Sequence, residues 1–354
     1  MPQFTRKGSF ALFITICVIA ITVMGMGLTS SSTMQATTQA MVTPVGIQGY
    51  DIRLFATGTK QYFGPDSVEV VGNTVYVGYQ NGGLPDGSDH VPSTIVAYTL
   101  DGHIVHMLNV SGHCDGLRFD PFTNQLWATS NEDANAILTV INPKTWATKQ
   151  YAFPTPPPHG GGYDDLAFEQ GMAFVAASNP TLNSQGVNTA PAVAKIVISN
   201  GKLVLTPVLF GNATATDIAT GQKVTLDLTD PDSMSIASNG DVVLDSQGDA
   251  ELVFLHNAGT SNQTVSRLSL GTQVDDTIWI PAAKGRMVIV DSKQNAIYTV
   301  AIDKTGFTPG TIYTEAPSDS GVASFVGIVA PKSGTITPVI VGLTSPTGLG
   351  FIAG

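Results

Sequence analysis

Gly64–Tyr79 reads GPDSVEVVGNTVYVGY. Asp66 leads a short alternating run, Gly72-Asn73 interrupts it, and a second run rich in β-branched residues follows. Apolar/polar alternation is the strand period, and two such runs around a Gly-Asn pair read as a β-hairpin. The arrangement returns at 113–131 (HCDGLRFDPFTNQLWATSN), 162–179 (GYDDLAFEQGMAFVAASN), 230–247 (DPDSMSIASNGDVVLDSQ) and 273–292 (QVDDTIWIPAAKGRMVIVDS). The leading aspartates are Asp66, Asp115, Asp165, Asp232 and Asp276, separated by 49, 50, 67 and 44 residues. A weaker sixth copy, SFVGIVAPKSGTITPVIVGL (324–343), has Ser324 where the aspartate is expected.

Two further strand-like runs follow each hairpin, such as TIVAYTL (94–100) and HIVHMLNV (103–110) after the first. Four antiparallel strands in about 50 residues is the period of a propeller blade. The expected fold is therefore all-β: a six-bladed β-propeller with four-stranded antiparallel blades, forming a single domain over 41–354. The sixth unit runs short, leaving only GLGFIAG (348–354), while an orphan run, YDIRLFATG (50–58), precedes the first. The orphan is predicted to complete the last blade, so that the ring closes through both ends of the chain and leaves no open edge. The separation of 67 predicts an additional hairpin within 211–230.

Composition narrows the function classes. Charged residues are 12% of the 354, against about 25% in ordinary soluble domains. The net charge is −11, which argues against a nucleic-acid partner, since phosphate binding needs a basic patch. Arg6 and Lys7 precede the apolar run Phe10–Leu28, and a polar stretch follows to Ala40. That layout predicts an export signal, or an N-terminal membrane anchor with a polar linker, over 1–40. Either places the remainder outside the cytoplasm, in the periplasm, at the cell surface or secreted, and it meets a membrane only if the apolar segment is retained. Cys17 lies inside that run, so Cys114 is the one thiol of the exported part and no intramolecular disulfide is expected.

CDGLRFDPFTNQLWATSN (114–131), GDVVLDSQGDAELVFL (240–255) and GRMVIVDSKQNAIYTV (285–300) resemble the blade units of the NHL-repeat and gluconolactonase (senescence-marker-protein-like) superfamily of six-bladed propellers. The resemblance implies a divalent cation, usually calcium, over the central channel, held by carboxylates and amides of blade starts. Asp115 and Asp232 match such positions. The family's Glu-Gly-Pro near the first blade is replaced by Phe63-Gly64-Pro65.

In a propeller the first strand of each blade lines the channel, and strand starts share a rim with the turns between second and third strands. Long segments fall on that rim, including 80–92, 154–162 and 179–191, while turns of the opposite rim are tight. Long loops on a rigid ring favour a binding surface. The five leading aspartates are predicted to point into this mouth. There they either cap turns and tie adjacent blades together, or bind Ca²⁺ through oxygen. His113 and His159 fall on the same rim as candidate general bases. Two functions follow: binding of a small molecule, glycan or protein on the channel-mouth face without catalysis, or calcium-dependent lactone or ester hydrolysis at the mouth.

Overall fold

The alternating runs do become strands, and the turn residues between them decide which strands pair. A computed structural model of the chain describes residues 43–303, 305–318 and 321–354. The apolar run at Phe10–Leu28, and with it the export expectation, lies outside the described residues. Six antiparallel blades surround a central bore, and no α-helix occurs among the described residues.

The first blade runs outward from Pro65–Val71 through Thr74–Tyr79 and Ser93–Thr99 to Ile104–Val110. In the second the strands are Cys114–Asp120, Gln125–Ser130, Ile137–Ile141 and Thr148–Ala152. The third contains Leu166–Glu169, Met172–Ala176, Pro191–Ser199 and Lys202–Phe210. Pro231–Ile236, Val242–Ser246, Glu251–His256 and Thr264–Ser269 make the fourth. The hairpin predicted within 211–230 exists as Thr214–Asp217 and Lys223–Thr225, but it does not crown the mouth. It extends the outer edge of the fourth blade, pairing in parallel with Thr264–Ser269.

The last two blades exchange strands, which corrects the unit boundaries read for 273–292 and 324–343. Thr277–Trp279 is the inner strand of the fifth blade, but its partner is Ile312–Ala316, not the next strand in sequence. Phe325–Val329, Ile336–Val341 and the short Val45–Gly46 follow outward. Ser324 is consequently not a blade start; it flanks a third strand, and its hydroxyl donates to the Thr344 carbonyl at 2.8 Å. The sixth blade consists of Pro346–Ala353 innermost, then Gly285–Asp291, Ala296–Ile302 and Tyr50–Thr57. The orphan run thus completes the blade that holds the C-terminal strand, and the ring closes as predicted. The physical reason for the exchange lies in 280–284, IPAAK. It carries no Gly or Asn for a tight hairpin, unlike Gly72-Asn73, Gln170-Gly171 and Asn239-Gly240, so the chain strides into the neighbouring blade.

Buried apolar residues gather into six clusters, one between each pair of adjacent blades. Cys114 is fully buried in the cluster between the first and second. The mouth end of the bore is left to polar groups.

Candidate functional site

Three inner strands enter the bore through a skip in their pairing. Pairing skips between Pro65 and Val68, between Cys114 and Leu117, and between Pro231 and Met234. Bulges of this kind re-aim side chains. Two consecutive residues instead of one line the cavity at Asp66-Ser67 and Asp232-Ser233, and likewise at Asp164-Asp165 and Asp275-Asp276, where both residues bond the backbone of a single partner, Ala176 and Glu315. Asp115 joins them from the second blade, and Thr347 represents the sixth. Gly116, which follows Asp115, allows the second and third blades to approach, since a Cβ there would stand 2.7 Å from Asp165 Cα. Glu132 enters from the turn after the second strand of its blade, where Asn131 adopts the left-handed region with φ 71°.

The cavity measures about 150 Å³ and is lined by Asp66, Asp115, Glu132, Asp164, Asp165, Asp232, Asp275 and Asp276. Arg118 is the sole cationic residue among its walls. All five aspartates anticipated at the mouth are therefore brought together, and three more carboxylates join them. Strand alternation hid Asp164 and Asp275, because it admits only one of two adjacent residues to a face. Glu132 had only its place on the loop-rich rim as a signal.

Arg118 stands at the floor and is fully engaged. Its Nη2 donates to Asp165 Oδ2 at 2.5 Å, to Asp276 Oδ1 at 2.9 Å and to the Met234 carbonyl at 3.3 Å. Asp165 Oδ2 also accepts from Met234 N, and Asp276 Oδ2 from Leu349 N, each at 3.0 Å and each from the next blade. For these two aspartates the structure supplies the blade-tying role. Burial nevertheless pushes Asp165 up to about 7, against the pull of Arg118.

The remaining acids lack such compensation. Burial pushes the carboxyls of Asp66, Asp115, Glu132, Asp232 and Asp275 well above the usual range, and their mutual repulsion pushes further. Asp164 stands within hydrogen-bond reach of both Glu132 and Asp232. Carboxylate oxygens of Glu132, Asp164 and Asp232 lie within 4.8 Å of one another, and so do donor atoms of His113, Asp115 and Glu132. Asp115 Oδ2 is buried without a hydrogen-bond partner, so the set has an open acceptor. An all-oxygen cluster suits a hard divalent cation such as Ca²⁺.

The two histidines part company. His113 Nδ1 lies 2.7 Å from the Gly83 carbonyl and Nε2 lies 3.1 Å from Asp115 Oδ1. A carbonyl only accepts, so Nδ1 carries the proton and Nε2 presents its lone pair to Asp115. Burial lowers the His113 pKa and raises that of Asp115. His159 bonds through Nε2 to the Gly162 carbonyl at 2.5 Å and packs edge-on against Tyr163. It is not among the cavity-lining residues; its ring holds the Pro/Gly loop.

No protein-family model matches the sequence, and comparison with curated proteins finds no match. Solved structures do align. A streptogramin B lyase structure is 11% identical with a TM-score of 0.47, covering 86% of this chain and 95% of that one. Virginiamycin B lyase from Staphylococcus aureus is 11% identical with a TM-score of 0.42, covering 81% and 73%. A protein of unknown function from Bacteroides caccae is 12% identical with a TM-score of 0.47, covering 81% and 86%. At these identities nothing about a site or a reaction transfers.

Proposed function

We propose that this protein is a divalent-cation-binding propeller. It holds calcium at the acidic end of its bore through Glu132, Asp164 and Asp232, and takes a small molecule, glycan or protein ligand at the loop-rich mouth above. The observation that carries the reading is the gathering of these three carboxylates within 4.8 Å, beside an arginine already committed to two other acids. Crowded carboxylates must be protonated or share a cation. The orphaned Asp115 Oδ2 supplies a further oxygen donor. An extracytoplasmic location, as the N-terminal segment suggests, would expose the site to calcium levels at which even a weak site fills, with Kd of about 10⁻⁴–10⁻³ M in extracellular modules.

Titration calorimetry of the chelator-treated full-length chain with CaCl₂, MgCl₂ and ZnCl₂ tests this. Calcium is expected to bind, and with higher affinity than magnesium, which tolerates fewer ligand geometries. No heat with any of the three ions would sink the reading.

One observation favours a second reading, hydrolysis of a lactone or ester. His113 is buried and neutral, with Nε2 facing Asp115 next to the carboxylate cluster. A bound cation would supply polarisation of a carbonyl oxygen. Were Asp115 drawn onto that cation, His113 Nε2 would be free to accept a proton from water, and the Gly83 carbonyl fixes its tautomer and ring plane. A lactone panel assayed with and without chelator separates the two: chelator-sensitive turnover abolished in His113→Ala, with calcium affinity retained, would establish hydrolysis.

A further inference from the structure

Three of the inner strands that begin in acid end in aromatics, at Phe119, Phe168 and Trp279. Asp66-Ser67 is followed by Val68-Glu69-Val70, Asp115 by Arg118-Phe119, Asp165 by Leu166-Ala167-Phe168, and Asp276 by Thr277-Ile278-Trp279. The later residues of each strand line a second cavity, of about 320 Å³, at the other end of the bore. Arg118 borders both cavities and divides them. The second volume falls within the range of about 300–1,000 Å³ typical of small-molecule pockets.

Its walls are Phe119, Phe168, Trp279 and Phe351, each half-buried. Three of these rings are fixed from behind by edge-to-face contacts: Phe168 on Trp127 at 5.2 Å, Trp279 on Phe254 at 6.2 Å, and Phe351 on Phe307 at 5.3 Å. The aromatic faces are therefore held in place before any ligand arrives. Glu69 is the pocket's one acid. Burial pushes its carboxyl up to about 7, so at pH 8 it is ionised. Ser235 Oγ, in the same wall, is buried without a partner.

Charge decides the class of ligand. Arg118 cannot receive an anion, because its guanidinium already serves two carboxylates and main-chain carbonyls. Behind Glu69 the single guanidinium of Arg118 meets two carboxyl groups, Asp165 and Asp276, at hydrogen-bond distance, so it has no charge to spare for a ligand. Fixed aromatic faces around a carboxylate attract a cation by its ring quadrupoles as well as by its charge. We propose that this second cavity binds an organic ammonium ion with an apolar body, its nitrogen against Glu69 and Ser235 and its apolar part between Phe119, Phe168 and Trp279.

Calorimetric titration of the full-length chain at pH 8, in chelator, with three probes tests this. The probes are benzyltrimethylammonium, its neutral isostere neopentylbenzene, and phenylacetate. The cation is expected to bind at least tenfold more tightly than the neutral compound, with phenylacetate not bound. Glu69→Gln is expected to weaken the cation at least tenfold and to leave neopentylbenzene unchanged. Equal affinity for cation and isostere, tighter binding of phenylacetate, or no binding of the ammonium up to 10 mM, as an order-of-magnitude ceiling on useful affinity, would each overturn the proposal. The wild-type comparison of probes decides the matter even if the variant does not fold.

Discussion

Arg118, on the inner strand of the second blade, donates at 2.9 Å to Asp276 on the inner strand of the fifth. In a six-bladed ring those strands face each other across the bore. A guanidinium that also reaches Asp165 in the third blade acts as a strut, joining three of the six inner strands at one point. It also sets the electrostatics on both sides, since its single charge is shared between two acids and leaves the remaining carboxylates of the mouth uncompensated.

Removing the strut should be costly. Arg118→Leu leaves two buried carboxyls without their cation, and breaking a buried pair from one side costs about 3–5 kcal/mol. Part of that cost should vanish in Asp276→Asn, where the arginine has one acid fewer to compensate. Urea midpoints of wild type, both single variants and the double variant give the coupling energy. Additive losses would mean that the observed bonds contribute nothing to stability.

Stability without calcium should fall as pH rises. The mouth acids bind protons more tightly folded than unfolded, because burial and repulsion raise their pKa values. Their contribution is fully present below the usual carboxylate range and is lost as pH passes through the raised values, which for Asp165 means up to about 7. In this window the unfolded chain holds fewer protons, so the slope of stability against pH is negative. Thermal unfolding in chelator should show a lower Tm at pH 8 than at pH 5. Calcium at a hundredfold excess over Kd should return about 2.7 kcal/mol, and one fixed calcium concentration should raise Tm more at pH 8 than at pH 5. A Tm that rises with pH in chelator would contradict this picture.

Asp232→Asn should move two quantities in opposite directions. It removes one charge from the triad with Glu132 and Asp164, relieving repulsion, so the calcium-free protein should unfold at higher temperature at pH 8. The amide retains an oxygen donor but loses the charge, and calcium affinity should drop at least tenfold, about 1.4 kcal/mol. Ser233→Ala, at the neighbouring bore-lining position, is the control expected to change affinity little. Loss of both stability and affinity in Asp232→Asn would assign the aspartate a packing role instead.

Much of this architecture is legible from residues because hairpin chemistry and strand alternation are local. The turns at Gly72-Asn73 and Asn239-Gly240 announce their own pairings, and the repeat of Asp-led strands announces the bore. Two features escaped that reading for physical reasons. Pairing of Thr277–Trp279 with Ile312–Ala316 is non-local; its only trace is a missing turn residue in 280–284. Asp164 and Asp275 face the bore where two residues stand against one, Ala176 in the third blade and Glu315 in the fifth, which defeats the alternation by which faces are assigned. Nothing local marks Arg118, because only the ring brings its partners to it, from 47 and 158 residues away.

Closure of the ring gives the sharpest test of the strand exchange. Deleting 346–354 removes the innermost strand of the sixth blade, the Leu349 N–H that Asp276 accepts, and the wall that Val68 and Ile289 pack against. An inner strand is paired on one edge and packed against two neighbouring blades, so no partial ring can bury what it leaves exposed. The truncated chain should show no cooperative thermal transition and should bind a dye specific for exposed apolar surface. Deleting Val45-Gly46, which only adds a fifth strand outside Ile336–Val341, should cost about 1 kcal/mol, the scale of surface changes and single hydrogen bonds. If the two deletions have comparable effects, Pro346–Ala353 does not form the inner wall of the closing blade.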